Sequence, residues 1–144
     1  AMATVGELGA GVKWIERAIE DAKTNGNLHA AAMGHLILGE IYQQMAIGDE
    51  KPSMEVLRKN LGFILRSVPF AKSRALGHFD KAIELGDQVG MHGITAQSHY
   101  DKGLILNASR KSAPAQEAMK LAKVAAAKIE WRHIENKIEA ANIA

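Results

Sequence analysis

The chain has 144 residues, room for one domain with a sizeable core and too little for two independent ones. Hydrophobic residues make up 47% but aromatics only 5%, with three prolines, so the core must be built mainly from Ala, Leu, Ile and Met, a helix-forming set. Eighteen basic and sixteen acidic residues leave a net charge of +2, too balanced to mark a nucleic-acid binder, and zero cysteines exclude a disulfide framework or a thiolate metal site.

No run of eighteen apolar residues occurs, so neither a membrane span nor a membrane partner is expected, and the cysteine-free composition fits a reducing, cytoplasmic setting. The opening Ala1-Met2 reads as a cloning remnant. Apolar residues then recur at helical spacing along the chain: Val12, Ile15 and Ile19 in a helix over 7–24, and Leu38, Ile41 and Met45 in one over 28–46. Residues 53–67 carry Met54, Leu57, Leu61, Ile64 and Leu65, with Val68 continuing the stripe just beyond, and further helices are predicted over 70–88, 93–109, 114–129 and 131–142. The runs are separated at Asn25-Gly26, Gly48-Asp49, Pro69, Gly90 and Ser112-Ala113-Pro114, where helix stops, caps and first-turn prolines belong. The stripe Met119, Ala122, Ala126, Ile129 is out of phase with Ile134, Ile138, Ala141, which predicts a break near 130–133.

An internal repeat organises these helices. Shifting the chain by 64 superposes Ala18 on Ala82, Ile19 on Ile83, Glu20 on Glu84, Gly26 on Gly90, Ala32 on Ala96, His35 on His99, Gly39 on Gly103 and Ile41 on Ile105. A further shift of 40 carries Ala75, Phe79 and Ala82 onto Ala115, Met119 and Ala122. The period is therefore 40, and the first full repeat contains an insertion of 24 residues at about 47–71.

The residues at these positions resemble the tetratricopeptide (TPR) repeat family. Its first helix reads W-x2-L-G-x2-Y, and this chain has His35, Leu38, Gly39 and Tyr42 at that spacing; its second reads A-x3-F-x2-A, matched by Ala75, Phe79 and Ala82. The second repeat is more degenerate, with Gly103, Leu106, Ala115, Met119 and Ala122. The resemblance implies an all-α TPR-like α-solenoid of six to seven helices arranged as antiparallel hairpins, a single domain over 1–144. Residues 7–24 would be the second helix of a truncated leading repeat, 28–88 a repeat carrying the insertion, 93–129 a second repeat and 131–142 a C-terminal capping helix. A looser, chain-wide resemblance, carried by the strings over 14–22, 35–42 and 60–71, is to the C-terminal helical region of bacterial class III adenylate/guanylate cyclases. It implies a longer signalling protein whose cyclase domain lies outside this chain.

No residue set points to catalysis, and no cofactor is expected. Histidines 29, 35, 78, 92, 99 and 133 include no pair at i,i+4 and no H-E-x-x-H, so no metal is expected. His35 and His99 share one repeat position and read as packing residues that hydrogen-bond at a hairpin interface. Gly6, Gly11 and Lys13 fall short of a phosphate-binding loop, and Glu20-Asp21 and Asp49-Glu50 read as solvated helix ends.

In the family, first helices of successive hairpins line a peptide groove. Carried onto this chain, that groove comprises Met33, Leu36, Glu40, Gln43, Gln44, Gln97, Tyr100, Leu104 and Asn107, a lining without cations. The Lys, Arg and Asn set with which some family members clamp a carboxylate tail is absent, so the expected ligand is a protein segment, including one from another domain of the same polypeptide. Homo-oligomerisation, as a homodimer, is the alternative; nucleic acid is not expected as a partner. The insertion helix, basic on one flank through Lys51, Arg58, Lys59 and Arg66, is expected to bury its apolar face on its own repeat, with dimerisation, groove capping and membrane or nucleic-acid contact as alternatives.

Overall fold

A computed structural model of the chain describes residues 8–48 and 54–143. Every element among them is helical: α1 Leu8–Thr24, α2 Leu28–Ile47, α3 Met54–Ser67, a 3₁₀ turn Val68–Phe70, α4 Ala71–Val89, α5 His92–Ala108, α6 Ser112–Ala127 and α7 Arg132–Ala141. None of the described helices is long and apolar enough to cross a membrane. The expected start of α3 at Pro52-Ser53, and Lys51 and Asp49-Glu50, lie outside the described residues.

The helix ends follow one local rule. Gly26 and Gly90 adopt φ of +72°, and the following amides close the turn from Asn27 to the Ala22 carbonyl (2.7 Å) and from Met91 to the Gly86 carbonyl (2.8 Å). This is the Schellman arrangement, in which a left-handed residue lets the chain satisfy its last carbonyls. The same closure recurs without glycine at Arg110 (φ 60°, Lys111 amide to Leu106 carbonyl, 2.9 Å) and at Glu130 (φ 52°, Trp131 amide to Ala126 carbonyl, 3.0 Å). The turn at Glu130 is the break anticipated near 130–133, and it swings α7 back over α5 and α6. A non-glycine residue in this conformation costs about 1 kcal/mol. Glu130→Gly is therefore expected to stabilise the protein by about 0.5–1 kcal/mol in chemical denaturation, with unchanged helicity.

α2 packs mainly on α4 and α5 on α6, α4 also packs on α5, and α1 covers the near side of α2. The interfaces are made of small residues against large ones. Ala31, Ala32, Ala71, Ala75, Ala82 and Leu38 share one core cluster with the fully buried Phe79, and Ala96, Ala122 and Ala126 share another with Met119 and Ile134. Gly39 faces the Phe79 ring, where an added Cβ would fall 2.5 Å from Cε1, and Gly103 faces Met119, where it would fall 2.8 Å from Cε. The two glycines of the 64-residue shift thus meet the two large residues of the 40-residue shift.

The insertion departs from expectation. α3 turns Asn60, Phe63 and Ser67 toward the body of the domain: Asn60 Oδ1 accepts from the Leu8 amide (3.0 Å), supplying a long-range cap to α1, and Phe63 lies over Gly9. At 100° per residue these positions are centred roughly 120° round the helix from the apolar stripe. Met54 (81% exposed), Leu61 (51%), Leu65 (65%) and Val68 are consequently at the surface, and Ile64 is half-buried. The expected burial of this stripe on its own repeat is therefore corrected for those residues; the Leu57 side chain lies outside the description.

Candidate functional site

α2 and α5 lie side by side, and with α7 they frame an open cleft of about 430 Å³. α2 contributes Ile37, Glu40, Ile41, Gln43 and Gln44, α5 contributes Gln97, Tyr100 and Asp101, and α7 contributes Lys137. α2 and α5 each present residues at i, i+3 and i+4, the spacing that keeps side chains on one face. Five of the nine residues assigned to a groove from the sequence, Glu40, Gln43, Gln44, Gln97 and Tyr100, are brought together here. The other four are placed elsewhere. Leu36 is buried in the α1/α2/α4 core, Leu104 packs half-buried against the α5/α6/α7 cluster, and Met33 and Asn107 are exposed away from the cleft. The face is rotated relative to the sequence assignment, which brings in Ile37 and Ile41, and the lining carries a cation, Lys137, that the assignment left out.

Asp101 organises the cleft. It is only 5% exposed, its main-chain carbonyl accepts from Gln43 Nε2 (3.0 Å), and its Oδ1 accepts from Gln97 Nε2 (3.1 Å). Burial, reinforced by a hydrogen bond with the Glu40 carboxyl, pushes the Asp101 carboxyl up to about 8, against the opposing pull of Gln97 and Lys137. Near neutral pH the side chain is held largely protonated and can donate to Glu40 while accepting from Gln97. The Tyr100 hydroxyl is raised by burial and by Asp101, and Lys137 Nζ stands 6.0 Å from the centre of the Tyr100 ring. Acceptor, amide donor, aromatic face and ammonium are thereby gathered along one groove, a set suited to holding a polar segment with a few apolar contacts.

Sequence reasoning missed Asp101, although one signal pointed to it. The 64-residue shift equates it with Ile37, so a carboxylate occupies a position that is apolar in the other repeat. Lys137 had no such signal, because its approach depends on the Glu130 turn.

The shared histidine position behaves differently in the two repeats. His35 Nδ1 lies 3.0 Å from His78 Nδ1, and His78 stacks on Tyr42 with ring centres 5.7 Å apart. One imidazole donates and the other accepts, so at least the accepting ring is neutral and the two cannot both be charged. Burial first, then the His78 ring, Lys23 and Lys81, hold His35 down to about 4, and burial also lowers His78 and His99. Arg74 lies over both Tyr42 and Phe70 (5.6 and 5.8 Å), joining this cluster to the 3₁₀ turn.

Comparison of the chain with protein-family models, with curated proteins and with solved structures returned no match.

Proposed function

We propose that this chain is a TPR-like helical-repeat module that binds a protein segment in the α2/α5/α7 cleft, as part of a larger signalling protein such as a class III nucleotide cyclase. The observation that carries the reading is the equivalence of the two hairpins. Gly39 faces Phe79 in α2/α4 as Gly103 faces Met119 in α5/α6, so α2 and α5 are corresponding first helices and the cleft lies along their adjoining faces. The lining supports an internal segment as ligand in preference to a carboxylate tail, because Lys137 is the one cation among the lining residues and Glu40 lines the cleft with it.

Selection of peptides from a random phage-displayed library on the immobilised protein tests this. Enriched peptides, labelled and titrated by fluorescence anisotropy, are expected to bind at about micromolar Kd, and Gln44→Arg or Tyr100→Ala is expected to weaken them at least about tenfold without loss of helicity. Peptides indifferent to both substitutions would place binding elsewhere and remove the cleft from the reading.

A further inference from the structure

We infer that the segment held in the cleft is anchored by a cationic side chain, an arginine or a lysine, seated against the carboxyl pair Glu40 and Asp101. This rests on the reading of the cleft as a peptide site and names what its ligand must carry. The packing of α2 beside α5 assembles the pair, one carboxyl from each helix, and both residues line the cleft. The ion pairs among the described residues are all made by other side chains, so neither carboxyl has a cation bound to it. Asp101 is only 5% exposed, and one of its oxygens is accounted for: Oδ1 accepts from Gln97. Oδ2 is buried and has no hydrogen-bond partner of good distance and angle, so the bond to Glu40 is a poor one. A buried carboxyl oxygen left in this state is costly, and a donor brought in by a ligand relieves it.

The neighbours set the sign and the shape of the anchor. The titratable groups facing Asp101 are Glu40 from α2, Tyr100 on its own helix and Lys137 from α7, while α4 and α6 contribute no residue to the cleft. Lys137 does not neutralise the pair: its Nζ stands 6.0 Å from the centre of the Tyr100 ring and makes no ion pair with either carboxyl. Glu40 is half-buried and open to the cleft, so an incoming cation meets its carboxyl first. When Glu40 turns toward that cation, Oδ2 of Asp101 becomes open to a second N–H. Arginine suits this best, because its planar fork carries several donors and can serve two carboxyls at once. Its alkyl stem can lie along Ile37, Ile41 and the half-buried Tyr100. Seating the cation expels a proton. Burial first, then the bond to Glu40, pushes the Asp101 carboxyl up to about 8, and a positive charge beside it favours the ionised form. Binding is therefore coupled to release of up to about one proton at pH 7, and affinity rises from pH 6 toward 8 by up to about tenfold per unit before levelling off.

Selection from the random phage-displayed library on the full chain at pH 8 is expected to return peptides that share one arginine or lysine at a fixed position. The same selection on the double variant Glu40→Gln, Asp101→Asn should lose that residue from the shared pattern. For an enriched peptide followed by calorimetry, replacing the arginine by neutral citrulline, or the lysine by acetyl-lysine, should weaken binding at least about tenfold on the parent and less than about twofold on the double variant. Titrations at pH 7 in two buffers of different ionisation enthalpy should reveal the released proton. Asp101→Asn should abolish both that release and the pH dependence of Kd, whereas partial unfolding would lower the number of competent sites and leave the release per bound peptide unchanged. Peptides that depend on Tyr100 yet share no cation, a neutral peptide that binds as tightly as its cationic parent, or a Kd that does not fall from pH 6 to 8 would overturn the anchor and leave the cleft reading standing. Peptides indifferent to Tyr100→Ala would overturn both.

Discussion

Gly39→Leu is expected to lower the unfolding free energy by about 1–3 kcal/mol, measured by urea denaturation at neutral pH. The Cβ alone would fall 2.5 Å from the Phe79 ring, which is fully buried and rigid, so either the ring or the α2 backbone has to move. The better helix propensity of Leu recovers up to about 1 kcal/mol of that cost. Ala82→Leu should act in the same direction, since Ala82 is fully buried in the same core. Gly103→Ala provides the contrast: the atom it meets is the terminal Cε of Met119, the end of a flexible side chain, so the propensity gain and the repacking cost should nearly cancel. A neutral Gly39→Leu would mean that α2 and α4 do not meet at this register.

Between pH 6.5 and 8 the protein is expected to lose stability as the pH rises, by up to about 2 kcal/mol. Asp101 is raised to about 8 from an ordinary value of 3.8, so the folded state retains a proton that the unfolded chain releases. Its contribution is fully present below about pH 4 and is lost as the pH climbs through 8. His35 runs in the opposite sense. Lowered to about 4 from 6.5, it contributes stability above pH 6.5 that disappears as the pH falls toward 4, and His78 and His99 are shifted in the same direction. The two effects oppose each other between pH 4 and 6.5, which leaves Asp101 dominant above that window at no more than about 1.4 kcal/mol per pH unit for one proton. Asp101→Asn mimics the protonated form, with an amide N–H for Glu40 and a carbonyl for Gln97, and should flatten the decline above pH 6.5 while exposing a steeper loss below it. Denaturation midpoints from pH 4 to 9 for both proteins measure this directly; a parent protein whose stability rises from pH 6.5 to 8 would show that Asp101 is ionised in the fold.

The helices and their partners could be read from spacing because the relevant physics is local or repeats. Val12, Ile15 and Ile19 form one stripe whatever they pack against, Gly26 and Gly90 end helices because a left-handed residue is needed there, and Gly39, Phe79, Gly103 and Met119 recur because each hairpin solves the same packing problem. The orientation of α3 could not be read in this way. Hydrophobicity alone favours burying Met54, Leu61 and Leu65, yet the side toward the body is decided by Asn60 satisfying the Leu8 amide and by Phe63 covering Gly9, contacts between segments about fifty residues apart. The cleft divides along the same line. Glu40, Gln43, Gln44, Gln97 and Tyr100 were legible as the faces of two equivalent helices turned away from their partner helices. The high Asp101 carboxyl, its neighbour Glu40, the approach of Lys137 and the His35–His78 pair were decided only by tertiary structure, because burial and charge proximity are properties of the assembled helices and not of any one segment.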